Sequence, residues 1–171
     1  MLLDIHWYLR LLKLIPIIMI SIKVVSEEKS WSKKIKKIDV FFQCICKSFP
    51  KKYQFLNKKI FFTLLLSNNK NIKKLNKKFR NKNNSTDVLS FPFENKIRLK
   101  NNLYLGDIII SYNFMDKPKN QKVNTFKDKV VKTFIHGFLH LLSFDHVKLN
   151  DYKKMLKEEQ KIYKSVIKKI N

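Results

Sequence analysis

Short continuous runs of apolar and β-branched residues occur four times along the chain and predict four β-strands. They lie at residues 17–25, 60–67, 88–93 and 103–111. Pro92 keeps the third strand near an edge or an end of its sheet, because proline has no amide hydrogen to donate to a neighbouring strand.

Apolar residues recur at steps of three and four between and after these runs, which is the spacing of an amphipathic helix. The pattern predicts helices over about 32–49, 68–79 and 124–142, and a last helix that begins at Asn150 or Asp151. The inner face of the last helix should carry Tyr152, Met155, Leu156, Ile162, Tyr163 and Val166. Strands interleaved with helices favour one α/β or α+β domain around a small mixed sheet of four strands.

Residues 1–16 are interpreted as an N-terminal extension that need not belong to the domain, which would then span residues 17–171. The longest uncharged run near this end, Leu14–Ile22, has nine residues, whereas a membrane-spanning helix needs about 20. Asp4 and Lys13 also interrupt the pattern of a signal peptide. We therefore expect no membrane partner and a cytoplasmic location.

The chain of 171 residues carries 37 basic and 13 acidic residues, a formal charge of +24. This charge favours a polyanionic partner such as nucleic acid or an anionic membrane surface. Only three of the basic residues are arginines, and the chain contains no alanine. A codon bias toward A and T therefore explains the large number of lysines equally well. Two glycines, four prolines and two cysteines exclude collagen and disulfide scaffolds.

Three of the four histidines lie in the segment HGFLHLLSFDH, as His136, His140 and His146. The first two are four residues apart, so a helix projects both rings from one face. A turn after the helix would bring the ring of His146 back toward the other two. Three protein ligands leave one position open on a zinc ion or another first-row divalent ion, as in catalytic rather than structural zinc sites.

The same histidine spacing occurs in metalloproteases of the H-E-x-x-H-x-x-G-x-x-H type. Gly137 stands where those enzymes have the glutamate that acts as general base, and Ser143 stands where they have glycine. A metalloprotease is therefore the less favoured hypothesis. A glycine inside a helix costs about 1 kcal/mol relative to alanine, so either backbone or substrate is expected to approach Gly137, unless the glycine is merely tolerated.

Two further motifs make the chain resemble the YbeY family of zinc-dependent endoribonucleases. They are LNKKFRNKNNSTDVLSFPF at 75–93 and LGDIIIS at 105–111, which precede the histidine segment in the order typical of that family. The resemblance covers about residues 17–167. It departs at Ser143 and Asn81, where glycine is common in the family, so the turn before His146 is expected to be strained.

The resemblance implies a zincin-like α+β fold and one Zn²⁺ per chain, held by His136, His140 and His146. It implies cleavage of single-stranded RNA, in maturation of the 3′ end of 16S rRNA of the small ribosomal subunit and in ribosome quality control, with no small-molecule cofactor. His136 and Arg80 are the implied catalytic residues. A guanidinium can bind a phosphate through two hydrogen bonds and stabilise transition-state charge, although Arg80 could also cap the end of its helix or be a solvated cation.

Other residues near these motifs are weaker candidates. Asp145 either orients a histidine ligand through a hydrogen bond or caps the turn, and Asp107 is a similar candidate. Ser90 is expected to bond to backbone rather than to take part in chemistry. Lysines that would contact the RNA backbone, or else form a solvated surface, are Lys77, Lys78 and Lys82.

Two questions stay open at the level of sequence. The nucleophile could be water activated by the metal or the 2′-hydroxyl of the RNA itself. The chain could also be a ribosome-assembly protein that binds RNA and uses its zinc only structurally.

Overall fold

Four strands among the described residues form one mixed sheet in the computed structural model of the protein. The structure describes residues 20–55, 58–94, 102–119 and 121–170. The strands are β1 (Ile20–Ser26), β2 (Lys59–Ser67), β3 (Val88–Pro92) and β4 (Asn102–Ser111), in the spatial order β1-β2-β4-β3. β1, β2 and β4 are parallel, and β3 pairs antiparallel with β4 as an edge strand. The predicted four-stranded mixed sheet is confirmed.

Helices connect and cover these strands. They are α1 (Ser30–Lys34), α2 (Ile38–Lys47), α3 (Asn69–Arg80), α4 (Tyr112–Met115), α5 (Val123–Leu141) and α6 (Leu149–Ile170). No helix within the described ranges combines the length and the apolarity needed to cross a membrane. The proposed extension at residues 1–16 and the first three residues of the first predicted strand lie outside the described residues.

The single helix predicted over 32–49 is wrong, because the chain forms α1 and α2 with a break between them. Ile35 ends α1 with extended backbone, at φ −123° and ψ 107°. The indole N–H of Trp31 donates to the carbonyl of Ser67 at 3.2 Å, which fixes α1 against the end of β2. Apolar spacing continues through the break because both short helices bury their side chains in the same core, so periodicity alone could not reveal it.

The main core lies between the sheet and α5. Phe134 and Phe138 of α5 pack against Phe62 of β2, with ring centroids 6.0 and 5.6 Å apart. On the other face of the sheet, α3 covers the end formed by β3 and β4, where Ile72 contacts a smaller buried cluster with Leu89 and Ile109. α5 is therefore held directly on the sheet, and the histidines that it carries have a rigid support.

The last helix begins at Leu149, close to the predicted start, and its inner face is slightly different from the prediction. Met155, Ile162 and Val166 are buried, whereas Tyr152 is exposed. Tyr152 lies in the first turn of α6, and the buried residues of this helix begin only at Met155.

Gly106 allows the edge strand β3 to approach β4. Its φ of +128° is in a region that side chains rarely adopt. A Cβ atom at this position would lie only 2.0 Å from the backbone carbonyl oxygen of Phe91. Since Pro92 pairs with Gly106, this glycine determines where the end of β3 lies.

We expect Gly106→Ala to lower the free energy of unfolding by more than about 2 kcal/mol, because both the backbone conformation and the contact with Phe91 must change. Thermal denaturation followed by circular dichroism measures the loss. Ser21→Ala, at an exposed position of β1, is the control and should change stability little. An unchanged melting temperature for Gly106→Ala would contradict this account of β3.

Glu158 holds α6 against the short 3₁₀ turn at Lys51–Tyr53. Its carboxylate accepts hydrogen bonds from Lys161 at 2.8 Å, from the Tyr53 hydroxyl at 2.5 Å and from Lys52 at 3.3 Å. These donors, led by Lys161, lower the pKa of Glu158 from 4.5 to about 2. The carboxylate therefore stabilises the fold in its ionised form.

We expect Glu158→Gln to lower the free energy of unfolding at neutral pH by about 1.5–3 kcal/mol, the usual range for hydrogen bonds to a charged group. Because the folded-state pKa is depressed, this stabilisation is present above the unfolded pKa of 4.5 and is lost as the pH falls toward 2. Urea unfolding of both proteins across this pH range should show the difference shrinking in acid. A difference independent of pH would contradict the role of the ionised carboxylate.

Candidate functional site

The three histidines of the sequence motif meet at one point of the structure. His136 and His140 lie one turn apart on α5, and His146 lies in the loop between α5 and α6. One ring nitrogen from each residue can be chosen so that all lie within 4.8 Å of one another. The Nε2 atoms of His136 and His140 are 3.0 Å apart. The set could hold a metal ion.

A turn at the end of α5 brings His146 back toward the helix. The amide of Phe144 donates to the carbonyl of Leu139 at 3.1 Å, and the amide of Ser143 donates to the carbonyl of His140 at 2.9 Å. This pair of bonds is a Schellman motif, whose penultimate residue adopts the left-handed conformation. Ser143 has φ 62°, so the strain expected from serine in place of glycine is present, at about 1 kcal/mol or more.

Hydrogen bonds to the other ring nitrogen determine which nitrogens of the histidines are free. Nδ1 of His136 is 2.7 Å from Oε1 of Glu159 on α6, and Nδ1 of His140 is 2.9 Å from the carbonyl oxygen of Phe144. Carboxylate and carbonyl oxygens accept, so both Nδ1 atoms donate, and the neutral form of each ring carries its lone pair on Nε2.

The two lone pairs therefore face each other across 3.0 Å. Such an arrangement is repulsive by itself and becomes favourable when a cation accepts both lone pairs. Imidazole nitrogens whose opposite N–H is held by a carboxylate or a carbonyl are the usual protein ligands of zinc and related divalent ions. The residues present thus fit a divalent metal.

Burial favours the neutral form of His140, which is the form that binds a metal ion. The surrounding protein disfavours the charged imidazolium and, with a smaller effect of His136, lowers the pKa of His140 from 6.5 to about 4. The ring is therefore neutral at neutral pH, and metal binding there does not have to displace a proton.

Glu159 is the residue of this site that sequence reasoning missed. It lies between Met155 and Ile162 at helical spacing, on the face of α6 that packs against the rest of the protein. A carboxylate on the apolar side of an amphipathic helix was the available signal, because such a group needs a partner when it is buried. Its side chain is 25% exposed.

Asp145 and Asp107 do not contact the histidine rings through any hydrogen bond found among the described residues. Oδ1 of Asp145 accepts the backbone amide of His146 at 2.7 Å, which supports the turn. Oδ1 of Asp107 accepts the hydroxyl of Tyr104 at 2.5 Å. Asp107 lies on the opposite face of the sheet, since its neighbour Ile108 points toward α5.

Gly137 lets α5 approach the sheet directly beneath the histidines. A Cβ atom there would lie 2.9 Å from Cγ2 of Ile108 and 3.1 Å from Oγ of Ser90. The hydroxyl of Ser90 donates to the carbonyl of Gly137 at 3.0 Å, so the expectation that Ser90 bonds to backbone is confirmed. The close neighbours of Gly137 are side chains of the sheet.

Arg80 and Lys82 border the same cleft as the histidines, a cavity of about 720 Å³. Arg80 is the last residue of α3, and Asn81, with φ 56°, ends the helix there. The described lining also includes the acidic residues Asp87 and Asp145. Lys77 and Lys78 are exposed on α3 but are not part of this lining.

The loop after Arg80 is tied to α3 by a buried asparagine. Asn76 is 2% exposed, and its Nδ2 atom donates to the carbonyl of Asn84 at 2.8 Å. This bond brings the loop that carries Lys82 back toward the helix, and Lys82 lines the cleft together with Arg80.

Comparisons with known proteins show which family the chain resembles and which fold it shares. The family model described as Endoribonuclease YbeY matches residues 22–167. A Pelagibacter ubique protein named Endoribonuclease YbeY is 66% identical over 152 residues, which cover 89% of this chain and 99% of the relative. A Sulfurovum protein of the same name is 40% identical over 85 residues, which cover 48% of this chain and 58% of the Sulfurovum protein. The solution structure of a Thermotoga maritima protein aligns with a TM-score of 0.52 at 25% identity, over 85% of this chain and 88% of that one.

We expect Glu159→Gln to weaken binding of Zn²⁺ by about 10- to 100-fold, because an amide orients His136 less strongly and makes it less basic than a carboxylate does. Competition with a chromogenic chelator measures the affinity. Glu158→Gln is the matched control: it removes the adjacent carboxylate on the same helix and should leave zinc affinity unchanged. Equal affinity of Glu159→Gln and the unmodified protein would show that the contact with His136 is only structural.

Proposed function

Since the chain belongs to the endoribonuclease YbeY family and is an endoribonuclease, we propose that it cleaves single-stranded RNA with one zinc ion held by His136, His140 and His146. The observation that carries this proposal is the 3.0 Å distance between the Nε2 atoms of His136 and His140, whose Nδ1 atoms both face acceptor oxygens. They lie in a cleft that also contains Arg80. The proposed substrate is precursor rRNA near the 3′ end of 16S rRNA on the small ribosomal subunit, in the cytoplasm.

Zinc bound at this position would supply a Lewis acid that polarises a phosphate oxygen and lowers the pKa of water. The chain supplies imidazole nitrogens as ligands: burial keeps His140 neutral, and the bonds to Glu159 and Phe144 orient the rings of His136 and His140. The proposed catalytic role of His136 has the same support, because donation from its Nδ1 to Glu159 keeps its Nε2 basic.

Arg80 would bind the scissile phosphate. Its guanidinium can donate two parallel hydrogen bonds to phosphate oxygens and stabilise the additional charge of the pentavalent transition state. Lys82, which also lines the cleft, adds positive charge there. Lys77 and Lys78, on the exposed surface of α3, would contact RNA backbone outside the cleft. Asp145 would support this arrangement indirectly, by holding the turn that carries His146.

The position of Gly137 argues against the metalloprotease alternative. A glutamate there would have to begin with a Cβ atom 2.9 Å from Ile108 and 3.1 Å from Ser90. A glutamate, the general base that peptide hydrolysis by such enzymes uses, would therefore have to displace side chains of the sheet. The remaining alternative is a ribosome-assembly protein whose zinc is structural.

We expect purified protein loaded with zinc to cleave an end-labelled single-stranded RNA, and we expect chelator and His140→Ala to abolish the cleavage. Arg80→Ala should lower the single-turnover rate by about 10²- to 10³-fold, as is typical when a group that stabilises transition-state charge is removed. Arg80→Lys should recover only part of the rate, because lysine cannot form the paired hydrogen bonds.

The controls are identical purification of all variants and measurement of their zinc content. Equal cleavage by the unmodified protein and His140→Ala would identify a contaminating ribonuclease. Bound zinc without cleavage of any RNA would favour the assembly protein with structural zinc.

A further inference from the structure

We propose that a strip of aromatic side chains on the sheet face opposite the histidines binds unpaired bases of the RNA strand that leaves the cleft. This inference rests on the proposed function, since it assumes that single-stranded RNA occupies the cleft. The strip comprises Phe79, Phe91, Phe93, Tyr104 and Phe61, and the name aromatic strip is used for these five residues.

Helix α3 covers only part of this sheet face, and the described residues leave large rings of the strip exposed. Phe61 of β2 is 43% exposed and Phe93, just after β3, is 66% exposed. Tyr104 of β4 lies between them, with ring centroids 5.2 Å from Phe61 and 5.6 Å from Phe93. Three neighbouring rings thus form a surface on a rigid sheet, where apolar side chains are usually covered.

The strip begins at the rim of the active-site cleft. Successive residues of a strand point to opposite faces, so Ser90 and Pro92 border the cleft while Phe91 lies on the other side of β3. Phe79, which is 58% exposed, packs edge-to-face on Phe91 at 5.1 Å. The next residue, Arg80, borders the cleft. An RNA strand that passes Arg80 therefore meets Phe79 and the strip after crossing a single edge strand.

Positive charge accompanies the rings. Nζ of Lys78 lies 5.2 Å from the centroid of Phe79, and Lys23 borders a shallow depression of about 440 Å³ together with Phe61 and Tyr104. The acidic groups nearby are Asp107, whose carboxylate accepts the Tyr104 hydroxyl, and Glu94, next to Phe93.

Aromatic rings beside lysines match the chemistry of single-stranded nucleic acid. Bases stack on the rings while phosphates contact the cations, and each stacked base contributes about 1–3 kcal/mol. Stacking does not read the hydrogen-bonding edges of bases, so the strip would hold unpaired RNA of any sequence. A base-paired strand would not bind, because its bases are already stacked on each other.

The experiment measures affinity of the zinc-loaded protein for an unstructured 2′-O-methyl RNA of about 20 nucleotides, labelled with a fluorophore. We expect Phe61→Ala and Phe93→Ala each to weaken binding by about 5-fold or more, and the double variant to weaken it further. Phe93→Trp should keep the affinity of the unmodified protein. Val40→Ala, at an apolar position of α2 that is 55% exposed, is the matched control and should have no effect.

Salt dependence separates stacking from charge. The phenylalanine variants should leave the slope of affinity against salt unchanged, whereas Lys23→Gln combined with Lys78→Gln should reduce it. Cleavage of a tetranucleotide, too short to reach from the cleft along the strip, should be unaffected in the Phe61→Ala and Phe93→Ala variants.

The two proposals fail in different ways. Failure of the unmodified protein to cleave any RNA would overturn the proposed function. Unchanged RNA affinity of a folded Phe61→Ala/Phe93→Ala variant would overturn the aromatic strip as an RNA site. The rings would then serve a protein partner or packing within the chain, and a lowered melting temperature of the variant would indicate the latter.

Discussion

The direct contact between α5 and the sheet at Gly137 is the constraint on which the site depends. Because this residue has no side chain, the helix backbone lies against Ile108 and Ser90, and the Ser90 hydroxyl bonds to its carbonyl. The helix can neither rotate nor slide without breaking these contacts. His136 and His140, one residue before and three residues after Gly137, are thereby held toward the cleft with their Nε2 atoms close together.

Two helices that border the cleft end with the same backbone conformation. Asn81 after α3 and Ser143 after α5 both adopt left-handed backbone, which stops each helix abruptly and reverses the chain. The first end leaves Arg80 at the cleft, and the second returns Phe144 and His146 to the side of His140. The left-handed conformation costs each of these residues about 1 kcal/mol, whereas glycine would adopt it without this strain.

Edge strand β3 separates two surfaces with different chemistry. One side borders the cleft with its histidines and Arg80, and the other side carries aromatic rings beside lysines. Gly106 holds the end of this strand close to β4. The same strand therefore positions the surface proposed for phosphodiester cleavage and the surface proposed to bind the adjoining RNA.

Local patterns in the sequence determined the strands, the helix over most of 123–141 and the approach of His136 to His140, because helical spacing alone places residues i and i+4 on one face. The motifs also indicated the family and the strain at Ser143. Features that depend on distant parts of the chain were decided only by tertiary structure. Glu159 reaches His136 across 23 positions through the packing of α6 on α5.

The apolar run of β2 shows the same limit. Ile60, Phe62, Leu64 and Leu66 are buried beneath α5, whereas Phe61 is exposed on the part of the opposite face that α3 does not cover. The sequence of the strand determines only that alternate residues point to opposite faces. Which face receives a covering helix, and how far that helix extends, depends on the packing of elements remote in sequence, and the exposed rings follow from that packing.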